Sequence, residues 1–360
     1  MRLQFNLFEV KTPPLVGVDI SSAAVKLVEL ADAGRGKYSV ERYIIEPLSR
    51  DAVVDGNIAK VDEVVDALKQ AWGQMGTRIR HVAMALPSSA VISKKLILPA
   101  DLSEDDMEIQ VQAEANQVVP FSLDEVNLDF QVLGPATNSS TDVDVLLAAS
   151  RKEKIEDRVA VAEAAGLKVS VMDVESNASQ TAYEGMMHIL PDNARGQTVA
   201  LIDIGATTMH ILVFVDKVMV YSREQSFGGN QLTQEIQRRY GMSFEEAEKL
   251  KRKGDTPDKY GIEILQPFTE TLALEIGRAL QMFVAATSFS RVDYIVLAGG
   301  TAILPGLDDA VASRTEASTL VANPFAGMVL SGNIASAKLV ADAPALLVAC
   351  GLAMRRFDTP

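Results

Sequence analysis

"VALIDIGATTMHILVF", Val199 to Phe214, is the stretch that decides the fold. Apolar residues run into Asp203. Gly205, Thr207 and Thr208 then interrupt them, and the apolar run resumes. Two strands joined by a tight bend account for that pattern. The acid and the hydroxyls need another reason, because a buried hairpin has no packing use for them. A turn of small residues exposes backbone N–H groups that bind phosphate oxygens, and hydroxyls add donors. An acid does not bind phosphate. It can hold Mg²⁺ through water, since Mg²⁺ keeps much of its hydration shell.

The same order of residues occurs earlier, in "LVGVDISSAAVKLVEL", Leu15 to Leu30. Asp19 matches Asp203, and Ser21-Ser22 stands for Gly205 to Thr208. A repeat of this kind predicts two related lobes, each opening with an acid-tipped hairpin. Facing each other, the hairpins would clamp a Mg-triphosphate. The plainer alternative is two ordinary strand ends.

The chain has 360 residues, enough for two or more domains. Its composition, 48% hydrophobic and 23% charged, excludes wholesale disorder. A formal net charge of −14 argues against nonspecific coating of nucleic acid or an anionic membrane. One cysteine, Cys350, makes no internal disulfide and fits a reducing compartment. Glu9 and Lys11 fall where a signal peptide would need apolar residues. No uncharged apolar window reaches roughly 18 residues, so no membrane insertion is expected. These readings predict a cytoplasmic protein.

Along the first half, strand patterns at Leu15–Ala31, Lys37–Leu48 and His81–Pro87 flank a helical face of Val61, Val64, Val65, Leu68 and Trp72. The strand Ala90–Pro99 precedes a helix opened by Ser103 with acids in its first turn and ended by Pro120. Two strands and a helix follow, so Pro87 to Gly166 reads as one compact strand–helix–strand–strand–helix unit. The second half brings a strand meander from Val199 and helices around Asn230–Gly241 and Ser243–Gly254. A long helical pattern, a buried strand with a glycine turn and a closing apolar helix from Pro344 complete it.

Further residues fit a nucleotide. Gly228 and Gly229 precede a helix, where backbone can approach phosphate. Glu248, Lys251 and Arg252 lie within one helical turn, where the acid can accept from ribose hydroxyls and the bases can flank adenine. A solvated helix face is the bland reading there. Gly299, Gly300 and Thr301 end a strand, where a base or ribose can lie against bare backbone. His81, His188 and His210 have no metal spacing, and His210 reads as lining a strand face. Cys350 and Trp72 read as buried core.

The two hairpins, "AGGTAILPGL" and the closing "APALLVACGLAM" occur in the order used by the actin/Hsp70/sugar-kinase superfamily, which the chain resembles over nearly its whole length. The insertion resembles the extra subdomain of the FtsA-like branch. Within that branch, "GVDISSAAVKLVEL", "VPFSLDEVNLDFQV", "REQSFGGNQLTQEIQRRYG" and "VDYIVLAGGTA" are similar to the PilM family of type IV pilus assembly. The resemblance implies an α/β, actin-like ATPase fold with two lobes around a nucleotide cleft. It divides the chain into 1–86, 167–196 and 339–360 as first-lobe core, 87–166 as the inserted unit, 197–226 and 291–338 as second-lobe core, and 227–290 as a helical subdomain.

The resemblance also implies ATP or ADP with Mg²⁺ between the lobes. Asp19 and Asp203 would hold the metal through water. Ser21, Ser22, Lys26, Thr207 and Thr208 would meet phosphate. Glu248, Lys251 and Arg252 match the adenosine-contacting helix. Glu175, in "DVESNAS", lies where relatives orient a water; a helix-capping acid is the rival reading. The implied partner is the cytoplasmic N-terminal tail of the inner-membrane protein PilN, held in a groove of the first lobe and inserted unit. Other pilus proteins of the inner-membrane platform would follow, leaving the chain peripheral to that membrane through its partner.

Ser21-Ser22 departs from the Gly-Thr-type bend of relatives with strong turnover. Nucleotide binding with slow or absent hydrolysis is therefore expected. Two alternatives stay open. A small-molecule kinase needs an acid aimed at a substrate hydroxyl, and the insertion offers no cluster of Asp, Asn and His. An FtsA-like filament needs a basic amphipathic tail, and the chain runs out at "MRRFDTP".

Overall fold

The structure is a computed structural model that describes residues 13–136, 139–253 and 257–358. The signal-peptide reading at Glu9 and Lys11, and part of the loop after Ala136, lie outside the described residues.

In chain order the first half contains β1 (Leu15–Ile20), β2 (Ala24–Gly34), β3 (Lys37–Pro47), the small hairpin β4 (Val53–Val54) and β5 (Asn57–Ile58), α1 (Val61–Met75) and β6 (His81–Leu86). Next come β7 (Val91–Pro99), α2 (Glu104–Val118), β8 (Val126–Pro135), β9 (Asp142–Arg151), α3 (Lys152–Ala164), β10 (Lys168–Val174) and α4 (Glu175–Met186). The second half contains β11 (Thr198–Ile204), β12 (Met209–Val215), β13 (Val218–Gln225), α5 (Gly229–Tyr240), α6 (Phe244–Lys253), α7 (Gln266–Ala286), β14 (Tyr294–Ala298), α8 (Leu307–Thr315), β15 (Ser318–Val321), β16 (Val329–Leu330), α9 (Ser336–Asp342) and α10 (Leu347–Met354).

Two sheets share one five-strand topology, to which the first adds β16 at one edge, parallel to β3. The first runs β10-β6-β1-β2-β3-β16, and the second runs β13-β12-β11-β14-β15. In each, three antiparallel strands in chain order are joined through the first strand to two parallel ones. The register repeats as well. Asp19 lies opposite Lys26 in one hairpin, and Asp203 lies opposite His210 in the other. The internal echo in the sequence is thus a repeat of architecture.

β1 is buried along its whole length, and so is almost all of β11, which is why both read as near-continuous apolar runs. α1 covers one face of the first sheet with Val64, Val65, Leu68 and Trp72. Its C-terminus is stopped by Gly76 in the left-handed conformation. α7 covers one face of the second sheet with Leu272, Ile276 and Phe283. A π-helical turn, Gly261–Leu265, leads straight into it, and Pro267 falls just past that irregular turn.

α4 and α10 form the layer between the sheets. Tyr183 of α4 stacks on Phe214 of β12 with ring centroids 4.6 Å apart. Ala349, Cys350 and Ala353 of α10 pack with Val28 and Leu30 of β2. The two helices touch through Gly351, where an added Cβ would fall 1.8 Å from the carbonyl oxygen of Ala178. The helical run Ser336–Phe357 has the length and mean hydropathy (1.6) of a membrane span, but 67% of that window is buried inside the protein.

The inserted unit is a three-stranded antiparallel sheet, β7-β9-β8, with α2 on one face. Ser103 caps α2, its Oγ accepting from the Asp106 N–H at 3.2 Å. α3 departs from the expected grouping. Val161 and Ala162 join the core of α1, β1 and β6, so this helix packs on the first lobe and not on the inserted sheet.

Candidate functional site

The site is built on the two bends. In the first, Ser21 closes the turn with its own N–H and Oγ, each donating to the Ala24 carbonyl at 3.0 Å. In the second, the Gly205 N–H donates to the Thr208 carbonyl at 2.8 Å. The tips meet: Thr207 Oγ1 donates to Ser22 Oγ at 3.3 Å.

Beneath the tips the charges converge. Lys26 Nζ donates to Asp19 Oδ2 at 2.9 Å, and both side chains are largely buried. Burial pulls the Lys26 ammonium down, but Asp19, Asp203 and Glu175 together outweigh it and hold its pKa above the ordinary value. Burial pushes the Asp203 carboxyl up, against Lys26 and His210, with Asp19 adding to the push. Burial and then Asp19 push Glu175 up to about 8, against Arg158. Glu175, Asp203 and His210 line one small cavity of about 20 Å³ with Ser88, Ser176 and Ser179. His210 was expected only to line a strand face; it also walls this cavity.

The second hairpin gathers the remaining candidates. The Gly205 carbonyl accepts from Thr301 Oγ1 at 2.9 Å and from the Gly229 N–H at 3.0 Å. Gly229 therefore does not offer its amide to phosphate. Gly228 and Gly229 instead permit close approach: a Cβ on Gly228 would fall 2.6 Å from the Ala206 carbonyl, and one on Gly229 would fall 2.6 Å from Thr301 Oγ1. Gly299 has a φ of +86°, and its Cβ would fall 2.4 Å from Asp203 Oδ1. Gly300 faces open space and leaves its backbone approachable.

α6 lies on α5 and completes this wall. Lys251 Nζ donates to Thr233 Oγ1 at 2.8 Å and to the Gly229 carbonyl at 3.2 Å, and it pairs with Glu248. Burial pulls the Lys251 pKa down, opposed by Glu248. Arg252 Nε lies 3.5 Å from Glu248 and is half exposed. Thr208 Oγ1 lies 3.4 Å from His210 Nε2. Two sets of contacts result: one joins Ser22, Thr207 and the charged groups near Asp19 and Lys26, and the other joins Gly205, Gly229, Thr301, Lys251 and Glu248. Among the described residues, no three acid, histidine or cysteine side chains group closely enough to ligate one ion.

Sequence reasoning missed Arg158 and Ile303. Arg158 is buried, with donors on carbonyls of Ala85 and Gly56, 73 and 102 positions away. Ile303, two residues past Thr301, exposes its apolar side chain (54%) on the same loop.

Two lobes of one topology, with acid-tipped hairpins meeting across a cleft, define an α/β protein of the actin-like ATPase fold carrying an FtsA-like insertion. The family model described as type IV pilus assembly protein PilM matches residues 17–357, and the chain belongs to that family. The solved PilM–PilN type IV pilus biogenesis complex is similar with a TM-score of 0.81 and 25% identity, over 96% of this chain and 99% of that one. The ethanolamine utilization protein EutJ of Carboxydothermus hydrogenoformans shares the fold, with a TM-score of 0.56 and 15% identity over 95% and 89% of the two chains. Cell division protein FtsA of Bacillus subtilis (strain 168) is 24% identical over 261 residues, 66% of this chain. That match spans 57% of the FtsA length.

Proposed function

We propose that the chain is a nucleotide-binding scaffold of type IV pilus assembly, which holds ATP or ADP with Mg²⁺ between its lobes and takes the cytoplasmic N-terminal tail of PilN on its first lobe and inserted unit. The observation that carries the nucleotide reading is the meeting of Ser22 and Thr207 above Asp19, Lys26, Glu175 and Asp203. Asp203 fits a metal site because burial, with Asp19 nearby, works against its charged form, and a cation would relieve both. Bound Mg²⁺ would supply that charge and offset the negative charge of the phosphates. Asp19 and Asp203 would hold it through water. Ser21, Ser22, Lys26, Thr207 and Thr208 would meet phosphate, while Glu248, Lys251, Arg252, Gly300 and Ile303 would surround the nucleoside.

Slow or absent hydrolysis is part of this reading. Ser21-Ser22 stands where relatives with strong turnover carry a Gly-Thr-type bend, which is what motivates it. The PilN reading rests on the likeness to the PilM–PilN complex over nearly the full length of both chains. Other platform proteins, and attachment to the inner membrane, would follow through that tail.

Calorimetric titration with Mg-ATP, then with a synthetic peptide of the PilN N-terminus, tests both parts. Binding of both with negligible phosphate release over hours is expected. Absence of peptide binding, with ATP turnover raised by a small polyol, would instead favour a kinase.

A further inference from the structure

α3 is fastened at its two ends to different parts of the molecule. β9 is the middle strand of the inserted sheet and runs without a break into α3. At the junction Arg151 lies over the Phe121 ring, 5.2 Å from its centroid. Lys152 Nζ donates to the Asp124 carbonyl at 2.7 Å. These contacts tie the start of α3 to the loop between α2 and β8.

Farther along the helix, Arg158 turns into the first lobe, where it is 2% exposed. Its Nε donates to the Ala85 carbonyl at 2.8 Å, and its Nη2 donates to the Gly56 carbonyl at 3.0 Å. Both donors end on carbonyls, so neither bond cancels the charge. A buried guanidinium is costly unless an anion balances it. Glu175, Asp19 and Asp157 are the carboxyl groups near enough to act on that charge.

The two carbonyls are not arbitrary points. Ala85 pairs with Asp173 and Leu86 with Val174, so Arg158 holds the strand end beside the entry to Glu175. Two residues on, Ser88 Oγ accepts from the Ser176 N–H at 3.2 Å, at the start of α4. The Gly56 turn abuts Pro87, where an added Cβ would fall 2.5 Å from the ring. One arginine therefore pins the turn, the end of β6 and, through Ser88, the helix that begins with Glu175.

We propose that Arg158 is a positioning residue that couples the inserted unit to the cleft through α3. Displacement of α3 by a ligand on the inserted unit loosens the floor under Glu175, and filling the cleft stiffens the inserted unit in return. Such coupling is reciprocal, each ligand changing the affinity of the other by one factor. The inference rests on the cleft being the nucleotide site. The link from Arg158 to the cleft floor is testable without that reading.

Amide hydrogen exchange on the full chain decides it, with wild type and Arg158→Lys, each without nucleotide and with saturating Mg-ADP. Lysine keeps the charge and cannot fork onto two carbonyls. Without nucleotide, the variant is expected to exchange roughly threefold or more faster at Ala85–Ser88 and at the start of α4. With Mg-ADP, wild type is expected to slow at Ser122–Val126, and the variant is not. Unchanged exchange at the cleft floor overturns the link, and nucleotide-dependent slowing retained in the variant overturns the coupling. Should wild type bind no ADP, the cleft reading fails while the nucleotide-free comparison still decides the link. Lys152→Ala, a surface change at the other end of α3, must also lose the slowing; its retention would overturn the route through this helix.

Discussion

Thr207 Oγ1 donates to Ser22 Oγ at 3.3 Å, although 185 positions separate the two residues. Each hydroxyl sits at the tip of a hairpin whose first strand carries an aspartate one residue before its end. A phosphate seated between the tips replaces this bond with bonds to its own oxygens, at little cost, because a neutral hydroxyl pair is worth only about 1 kcal/mol. The contact therefore marks where the lobes approach without locking them together. Replacing both hydroxyls, Ser22→Ala with Thr207→Val, is expected to weaken ATP binding roughly tenfold and to leave urea stability within about 1 kcal/mol. Calorimetry and urea unfolding read the two quantities separately.

Asp203→Ala removes a carboxylate whose charged form is disfavoured by burial and by Asp19. The folded protein should be no less stable for its loss. Mg-dependent ATP affinity should fall at least roughly tenfold, since the counter-charge to a hydrated cation is gone. Titrations with Mg²⁺ and with EDTA check this. Equal ATP affinity in variant and wild type would refute the clamp between hairpins.

Glu175 gives the stability a pH slope. Its pKa is raised from 4.5 to about 8 in the fold. Between those values the folded state binds more protons than the unfolded state, so stability falls as pH rises through that window. Glu175→Gln should flatten this part of the curve. It should raise stability by ~1–3 kcal/mol at pH 8.5, discounted because the side chain opens partly to the cleft. Below pH 4.5 the two proteins should agree. Urea midpoints from pH 4 to 9 supply the test, and parallel curves would mean that Glu175 is not buried among like charges.

The hairpins were legible in the sequence because their signal is local: an acid, a small bend and two apolar strands lie within sixteen residues. Ser103 at the start of α2 was legible for the same reason. The allegiance of α3 was not. Val161 and Ala162 give one apolar face, and that face would read alike against the inserted sheet or the first lobe. The use of the Gly229 N–H by the Gly205 carbonyl was also hidden, because its partner is set by how α5 docks on the second hairpin. Arg158 carried no signal, since its partners are backbone carbonyls that any residue supplies.

Gly351 holds the middle layer together by its lack of a side chain. A Cβ there would fall 1.8 Å from the Ala178 oxygen, and one at Gly17 would fall 2.1 Å from the Ala349 oxygen. Both obstacles are backbone and cannot swing aside. Gly351→Ala should force α10 away from α4 and cost about 3 kcal/mol or more, at the high end for overpacking. Urea unfolding measures the loss. A Gly73→Ala control, where nothing lies within 4 Å of the new methyl, should be neutral or slightly stabilising.

Partner binding can be separated from the cleft by a deletion whose ends the packing dictates. Removing 87–166 would take away Val161 and Ala162 from the first-lobe core and the Arg158 fork, and the lobe would fail for that reason alone. Removing 92–149 leaves α3 in place. Val91 and Ser150 are directly paired across β7 and β9, so a short glycine linker closes the gap without strain. The shortened chain should fold and keep ATP affinity within roughly threefold, because none of the cleft residues lies in the removed segment. It should lose the PilN peptide, if the groove includes the inserted unit. Peptide affinity equal to that of the full chain would place the tail elsewhere on the first lobe, whereas loss of both ligands would show that the inserted unit supports the cleft itself.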